Sequence, residues 1–238
     1  MGQVFKQWQD LVADPELDRR FGTEFTMHEL GVIISGTFYG TEEEFTASGI
    51  PDRIPKGNTS LVIDDWLAVL AKQAEEAALS LSDIRSAFTA RSLAYTREDI
   101  LSEDAITSLM NYLDDTDRGT LLWFLIFDAT GGAISDVPMN ATAYSHRDKI
   151  MFCQGYGIGI PTLNQKTRDF VNGIIDNIQG GSANPLTTYP GYVDPLLTNA
   201  QESYWGPNLE ALQAIKTQWD PTDLFHNPQS VRPAKAAS

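Results

Sequence analysis

The stretch LLWFLIFD, residues 121–128, decides the fold, because it is the most apolar segment of the 238-residue chain. Gly119 precedes this run and Gly131 follows it, so residues that favour turns bound it on both sides. A short apolar run that is rich in aromatic residues and bounded by glycines is typical of a strand buried within a sheet. We therefore predict that residues 121–128 form a central strand.

Weaker patterns on both sides of this run predict the remaining elements. Further strands are predicted at 24–30, 32–40, 149–154 and 186–192, with Gly31 as a bulge or tight turn between the first two. Helices are predicted at 5–12, 64–79, 102–113 and 165–178, with a capped helix start at 41–44 and a helix pair at 200–218 that Pro207 interrupts. This order predicts an α+β fold, in which helices cover one face of an antiparallel sheet.

The composition excludes several classes of function. The net charge is −15 and the isoelectric point is about 4.4, which argues against binding to nucleic acid or to anionic membrane surfaces. The single cysteine, Cys153, lies in an apolar context and is predicted to be a small buried hydrophobe. The three histidines are scattered without ligand spacing, so no metal site is expected.

The cellular location is only weakly indicated. Two glycosylation triplets, at Asn58 and Asn140, fit an extracellular protein. The first residues, MGQV, lack the apolar region of a signal peptide, and no apolar run is long enough to span a bilayer. We therefore suspect secretion without a leader in this sequence.

Three motifs near the end of the chain carry the most specific pattern. They are GYVDP at 191–195, YWGPNL at 204–209 and DPTDLF at 220–225. Together they resemble the C-terminal end of FAD-linked oxidases of the berberine bridge enzyme type, and in particular the fungal glucooligosaccharide oxidases of the vanillyl-alcohol oxidase superfamily. The resemblance continues through 123–132, 142–149 and 153–154, and extends weakly to 29–30 and 36–40.

This resemblance implies roles for particular residues. Tyr192 matches the proposed catalytic base, Asp128 matches a carboxylate that partners it, and Gln154 matches a substrate-binding glutamine. One departure is Ile126, which stands where these oxidases have a sugar-contacting glutamine. Residues 155–161, GYGIGIP, are expected to give the site an apolar, glycine-rich lining, with 155–159 as a flexible strand-loop segment. The predicted substrate-binding set is Gln154, Ile126, Phe124 and Tyr156, and Asn208 and Gln229 are expected to face the flavin.

The resemblance also implies a division of the protein. Residues 1–190 would form the substrate-binding domain, and 191–238 would return to an N-terminal FAD-binding half that this sequence lacks. The implied activity is oxidation of an alcohol, on a sugar-like or secondary-metabolite substrate, with hydride transfer to FAD and O₂ as acceptor. The chain alone is then expected to be inactive and prone to self-association. The alternative is a flavin-free protein that binds a small molecule or guides a cyclisation.

The chemistry leaves two mechanisms open. A phenol has an ordinary pKa near 10, so Tyr192 is a poor base by itself at neutral pH. A neighbouring anionic Asp128 raises the pKa of the phenol further. Either Tyr192 therefore relays the substrate proton to Asp128, or a cationic group from the other half lowers the pKa of Tyr192.

Overall fold

The computed structural model describes residues 1–65, 67–70, 86–182, 184–192 and 194–234, and its centre is a five-stranded sheet. The strand order is β2-β1-β4-β5-β3, and every neighbouring pair is antiparallel. Strand β4 occupies the middle, which confirms the prediction for residues 121–128. The strands are β1 (Phe21–His28), β2 (Gly31–Phe38), β3 (Ala87–Tyr95), β4 (Trp123–Ala129) and β5 (Met151–Gly159).

The helices begin and end close to the predicted positions, except the short helix Ile50–Arg53, which was not predicted. They are α1 (Gly2–Ala13), α2 (Glu42–Ala47), α3 (Ile50–Arg53), α4 (Glu103–Asp115), α5 (Gln165–Gly180), α6 (Ala200–Trp205) and α7 (Leu209–Trp219). The predicted capping box is present at α2, where the Thr41 hydroxyl and the Glu44 carboxylate bind each other's main-chain amides. Of the predicted helix 64–79, residues 67–70 are helical and most of the rest lies outside the described residues.

Helices α1, α4 and α5 cover one face of the sheet, and the main core lies between them and the strands. The Phe5 ring of α1 lies 4.5 Å from Phe127 and 5.3 Å from Phe25, and all three side chains are buried. Burying one such side chain contributes about 1.5–3 kcal/mol. The α+β fold class, an antiparallel sheet with helices over one face, is therefore confirmed.

The glycines of β5 belong to this packed face and lie within a regular strand. A Cβ atom at Gly157 would lie 2.5 Å from the Thr167 side chain, and one at Gly155 would lie 3.7 Å from Val171. Both neighbours belong to α5. The missing side chain at Gly157 lets this helix approach the strand closely, whereas a Cβ atom at Gly155 would make an ordinary van der Waals contact. Residues 155–159, predicted as a flexible strand-loop segment, are therefore strand throughout, and the loop part of that prediction is wrong.

The edge of the sheet differs from the prediction in two ways. Strand β3 was missed, although its nine residues pair along the whole of β5. The predicted strand 186–192 is wrong, because Thr187 makes only an isolated bridge to Ala94. Pro190 cannot donate a ladder hydrogen bond, and the chain turns there, with the Tyr192 amide donating to the Tyr189 carbonyl at 2.9 Å.

Candidate active site

The sheet face opposite the helices carries the candidate site. Because side chains alternate along a strand, the even-numbered residues of β1, β4 and β5 point to this face, away from the buried odd-numbered ones. The strand register lines them up in three rows, which are Glu24–Asp128–Phe152, Thr26–Ile126–Gln154 and His28–Phe124–Tyr156. The glycines of β5 therefore do not line the site, contrary to the expectation from the sequence, whereas Tyr156 does.

Four neighbouring side chains on this face interact with one another, and we call them the Asp128 cluster. The Tyr156 hydroxyl donates to Gln154 Oε1 at 2.8 Å. Gln154 Nε2 donates to Asp128 Oδ2 at 2.8 Å. The Tyr192 phenol lies beside Asp128 and interacts electrostatically with its carboxylate. The structure thus brings together the residues predicted as base, partner carboxylate and substrate-binding glutamine.

A tight turn and contacts with two aromatic rings hold Tyr192 in place. Its ring meets Tyr189 edge-on at 5.4 Å and Phe152 edge-on at 5.9 Å between centroids. The Ser92 hydroxyl, on β3, donates to the Tyr192 carbonyl. The phenol is therefore oriented by packing on its ring and by a hydrogen bond on its main chain.

A buried ion pair fastens the chain directly after Tyr192. Arg91 Nε, on β3, lies 3.0 and 2.9 Å from the two carboxylate oxygens of Asp194. The two side chains are 13% and 0% exposed, so solvent screens this pair little. The Tyr204 hydroxyl exchanges two hydrogen bonds with the main chain of Asp194, at 3.0 and 3.1 Å. Arg91 was missed from the sequence because β3 was missed.

Burial and charge set the protonation states of the cluster. Burial, with a smaller contribution from the charge of Glu24, raises the pKa of Asp128. Burial first, and the Asp128 charge second, raise the pKa of Tyr192 well above its ordinary value. Among the described residues, none of the ion pairs places a cation on Asp128 or Tyr192. Tyr192 is therefore protonated and lies beside Asp128 at neutral pH, which fits the relay.

Glu24 is a member of the site that sequence reasoning did not find. It lies directly opposite Asp128 in the β1–β4 register and on the same face. The Thr26 hydroxyl donates to Glu24 Oε1 at 2.7 Å, and the Glu24 carboxyl contacts that of Asp128. No pattern in the sequence pairs β1 with β4 across nearly one hundred intervening positions.

The two residues expected to face a flavin lie in the return segment. Asn208 is buried, and its amide nitrogen donates to the carbonyls of Met139 and Thr142 at 2.9 and 3.2 Å. The Gln229 carbonyl accepts from Trp205 Nε1 at 3.2 Å, and its side chain contacts the Tyr204 hydroxyl. Neither side chain is hydrogen bonded to the Asp128 cluster, so their role stays a prediction.

Among the described residues, no group of three or more histidine, cysteine, aspartate or glutamate side chains is placed to hold a metal ion. None of the helices described has the length and apolar character needed to cross a bilayer.

Comparison with known sequences gives consistent matches. The family model described as "Berberine and berberine like" matches residues 188–232. The FAD-linked oxidoreductase sorD of Penicillium rubens is 31% identical over 241 residues, covering 97% of this chain and 50% of that protein. The glucooligosaccharide oxidase of Sarocladium strictum is 32% identical over 220 residues, covering 83% of this chain and 43% of that protein.

Solved structures show the same fold. A xylooligosaccharide oxidase from Myceliophthora thermophila, in complex with xylobiose, superposes with a TM-score of 0.83 at 23% identity, over 99% of this chain and 52% of that one. An Acremonium strictum glucooligosaccharide oxidase superposes with a TM-score of 0.78 at 27% identity, over 98% and 52%. The resemblance stated from the sequence is confirmed, and the chain spans about half the length of the curated relatives that it matches.

Proposed function

We propose that this chain, a relative of the berberine and berberine-like FAD-linked oxidoreductases, forms the substrate-binding half of a flavin-dependent oxidase. The reaction would oxidise an alcohol on a sugar-like or secondary-metabolite substrate, with O₂ as the final acceptor. The observation that carries the proposal is the cluster of Tyr192, Asp128, Gln154 and Tyr156 side chains on the open sheet face. Residues 1–190 would provide this face, and 191–238 would provide Tyr192 and the return to the other half.

The proposed mechanism gives Tyr192 and Asp128 a joint role. When bound, FAD would accept the hydride from the alcohol carbon, which leaves the hydroxyl proton to be removed. The Tyr192 oxygen would take this proton as its own proton moves to the neighbouring Asp128 carboxylate. Gln154 Nε2 would hold the Asp128 carboxylate in the orientation that receives the proton.

The residues present fit the reacting side of such a cofactor. A flavin takes up a hydride but needs a separate acceptor for the hydroxyl proton, and the cluster offers one on an open face. We propose that Asn208 and Gln229 shape the side of the chain that faces the flavin. Asn208 holds the 139–142 loop, and Gln229 orders the return segment, residues 191–238. The FAD itself would be held chiefly by the partner half.

The open face also suggests how the substrate lies. Gln154 and Tyr156 would hydrogen bond to polar groups near the reacting alcohol. Ile126 and Phe124, in the same rows, would form an apolar floor beneath the adjoining part of the substrate. The relatives are named for oligosaccharides, but an apolar floor suits a less polar molecule equally well. Asn58 and Asn140, the two glycosylation positions, are exposed, which supports an extracellular location.

Flavin absorbance tests whether the chain binds substrate while the partner half binds FAD. The 238-residue chain expressed alone should be colourless, because the proposal places FAD binding in the partner half. Joined to the flavin half of a related oxidase, it should hold a yellow flavin that an alcohol substrate bleaches without O₂. Absorbance near 450 nm (roughly the usual flavin band) measures both results. Flavin retained by the chain alone after dialysis would contradict the division, and no bleaching by any alcohol would contradict the activity.

The return segment should make the isolated chain self-associate. Four large apolar side chains in and after α7 are mostly exposed, namely Ile215 at 54%, Trp219 at 78%, Leu224 at 71% and Phe225 at 78%. Exposed large apolar side chains concentrated in one segment favour association. Light scattering should therefore give a mass that rises with concentration, and Trp219→Gln with Phe225→Gln should lower it. A constant monomer mass without binding of a hydrophobic dye would contradict this expectation.

A further inference from the structure

Two carboxyl groups face each other across neighbouring strands at the centre of the site. Glu24 on β1 and Asp128 on β4 are register partners on the open face, and such partners have Cβ atoms about 4.5–5.5 Å apart. Two like charges at this separation, on a partly buried surface, repel each other. The arrangement therefore strengthens the binding of a single proton by the two groups together.

The surroundings of the two carboxyls are polar but carry no compensating cation. Thr26 donates to Glu24, Gln154 donates to Asp128, and the Tyr192 phenol lies beside Asp128. Tyr156 on β5 contributes a further titratable group, and Ser35 on β2 and Phe152 on β5 are the outer register partners of Glu24 and Asp128. Behind the sheet, Cys153 is buried among apolar residues. Among the described residues, the ion pairs leave both carboxyls without a basic partner.

We propose that Glu24 and Asp128 act as one acid pair, which receives the proton relayed through Tyr192 and holds it between the two carboxylates. Glu24 acts through Asp128 and is a positioning residue, because its presence increases the proton affinity of the group that accepts. This inference rests on the proposed function for its catalytic consequence, but the pairing itself is a property of the chain.

The proton balance of the step is simple. The O–H bond of the substrate alcohol breaks and its proton bonds to the Tyr192 oxygen, while the Tyr192 proton bonds to the dianionic pair. The carbon loses a hydride, with its electron pair, to the flavin named above as the oxidant. The pair ends as a monoanion with one proton shared between Glu24 and Asp128. At a pH low enough for the pair to hold this proton already, the relay is blocked.

Titration of the chain without flavin or substrate tests the pairing directly. Carboxyl-carbon NMR would follow Asp128, assigned by the loss of its resonance in Asp128→Asn. In Glu24→Gln, which keeps an oxygen to accept from Thr26, the titration midpoint of Asp128 should move to lower pH. Glu16→Gln makes the same chemical change at an exposed position and should leave the Asp128 curve in place. An Asp128 curve that Glu24→Gln does not move would overturn the proposal.

The pH dependence of unfolding provides a second measurement that needs no resonance assignment. Repulsion within the dianionic pair is destabilising above its titration range, and protonation at lower pH removes it. The free energy of unfolding of Glu24→Gln relative to wild type should therefore increase as the pH rises through this range. A difference that stays constant with pH would also overturn the pairing.

Kinetics then connect the pair to the reaction. In the assembled oxidase, Glu24→Gln should move the acid limb of flavin reduction to lower pH and slow the plateau roughly 2- to 10-fold, because the remaining acceptor is a weaker base. An acid limb at the wild-type position would contradict the role of Glu24. If the titration shift appears but no alcohol reduces the flavin in wild type, the acid pair stands and the proposed function fails.

Discussion

Flavin reduction is expected to slow roughly 100- to 10,000-fold in Tyr192→Phe, the range of a lost general base. The substitution removes only the hydroxyl beside Asp128, and it keeps the ring that packs against Tyr189 and Phe152. Substrate affinity should therefore change little. Stopped-flow measurement of flavin reduction in the assembled oxidase gives both quantities, and a wild-type rate would show that Tyr192 is not the base.

Asp128→Asn extends the same experiment to the other member of the relay. An amide cannot accept the proton that Tyr192 passes on, so the same step should slow. If the two side chains act as one unit, the double variant should be scarcely slower than either single variant. Tyr189→Phe is a matched control, because it removes a hydroxyl from the neighbouring ring and leaves the Asp128 cluster intact. Additive losses in the double variant would argue against the relay.

A loss of about 3–5 kcal/mol in the free energy of unfolding is expected for Asp194→Ala, which leaves the Arg91 charge buried without its partner. Arg91→Met should have a comparable effect, because it leaves the buried Asp194 carboxylate without its partner. Urea unfolding followed by tryptophan fluorescence measures both. Asp136→Ala, which breaks an exposed pair with Arg19, is the control and should cost only about 0–1 kcal/mol.

The Arg91–Asp194 pair should also affect the reaction, because it positions Tyr192. Because Asp194 fastens the chain two residues after Tyr192, its loss should also slow flavin reduction under conditions in which the variant is still folded. A stability close to wild type in both Asp194→Ala and Arg91→Met would show that the pair does not hold this segment.

The fold was largely predictable because its centre follows simple patterns. The apolar run at 121–128 fixes the middle strand, and Phe5, Trp8 and Val12 fix the buried face of α1. Strand β3 was not predicted because its sequence, AFTARSLAY, is rich in alanine and small polar residues that indicate no particular structure. Its strand conformation comes from pairing with β5, which is a tertiary effect.

The candidate site was predictable only in part. Tyr192, Asp128 and Gln154 were identified by resemblance, and the structure shows that they touch. Glu24 and Arg91 could not be found, because their importance depends on which strands are neighbours rather than on any local pattern. The strand order of the sheet places β1 beside β4 and β3 beside β5, and no periodicity in the chain records that order.

The two faces of strand β5 differ in how well they tolerate substitution. Its odd position Gly157 is constrained by the approach of α5, whereas Gln154 and Tyr156 meet the open face. Substitutions at the even positions can therefore alter which substrate the protein binds without disturbing the packing of the fold. A mutant library that varies only alternate codons of this strand would search for new substrates with few unfolded members, and the complementary library would mostly lose the protein.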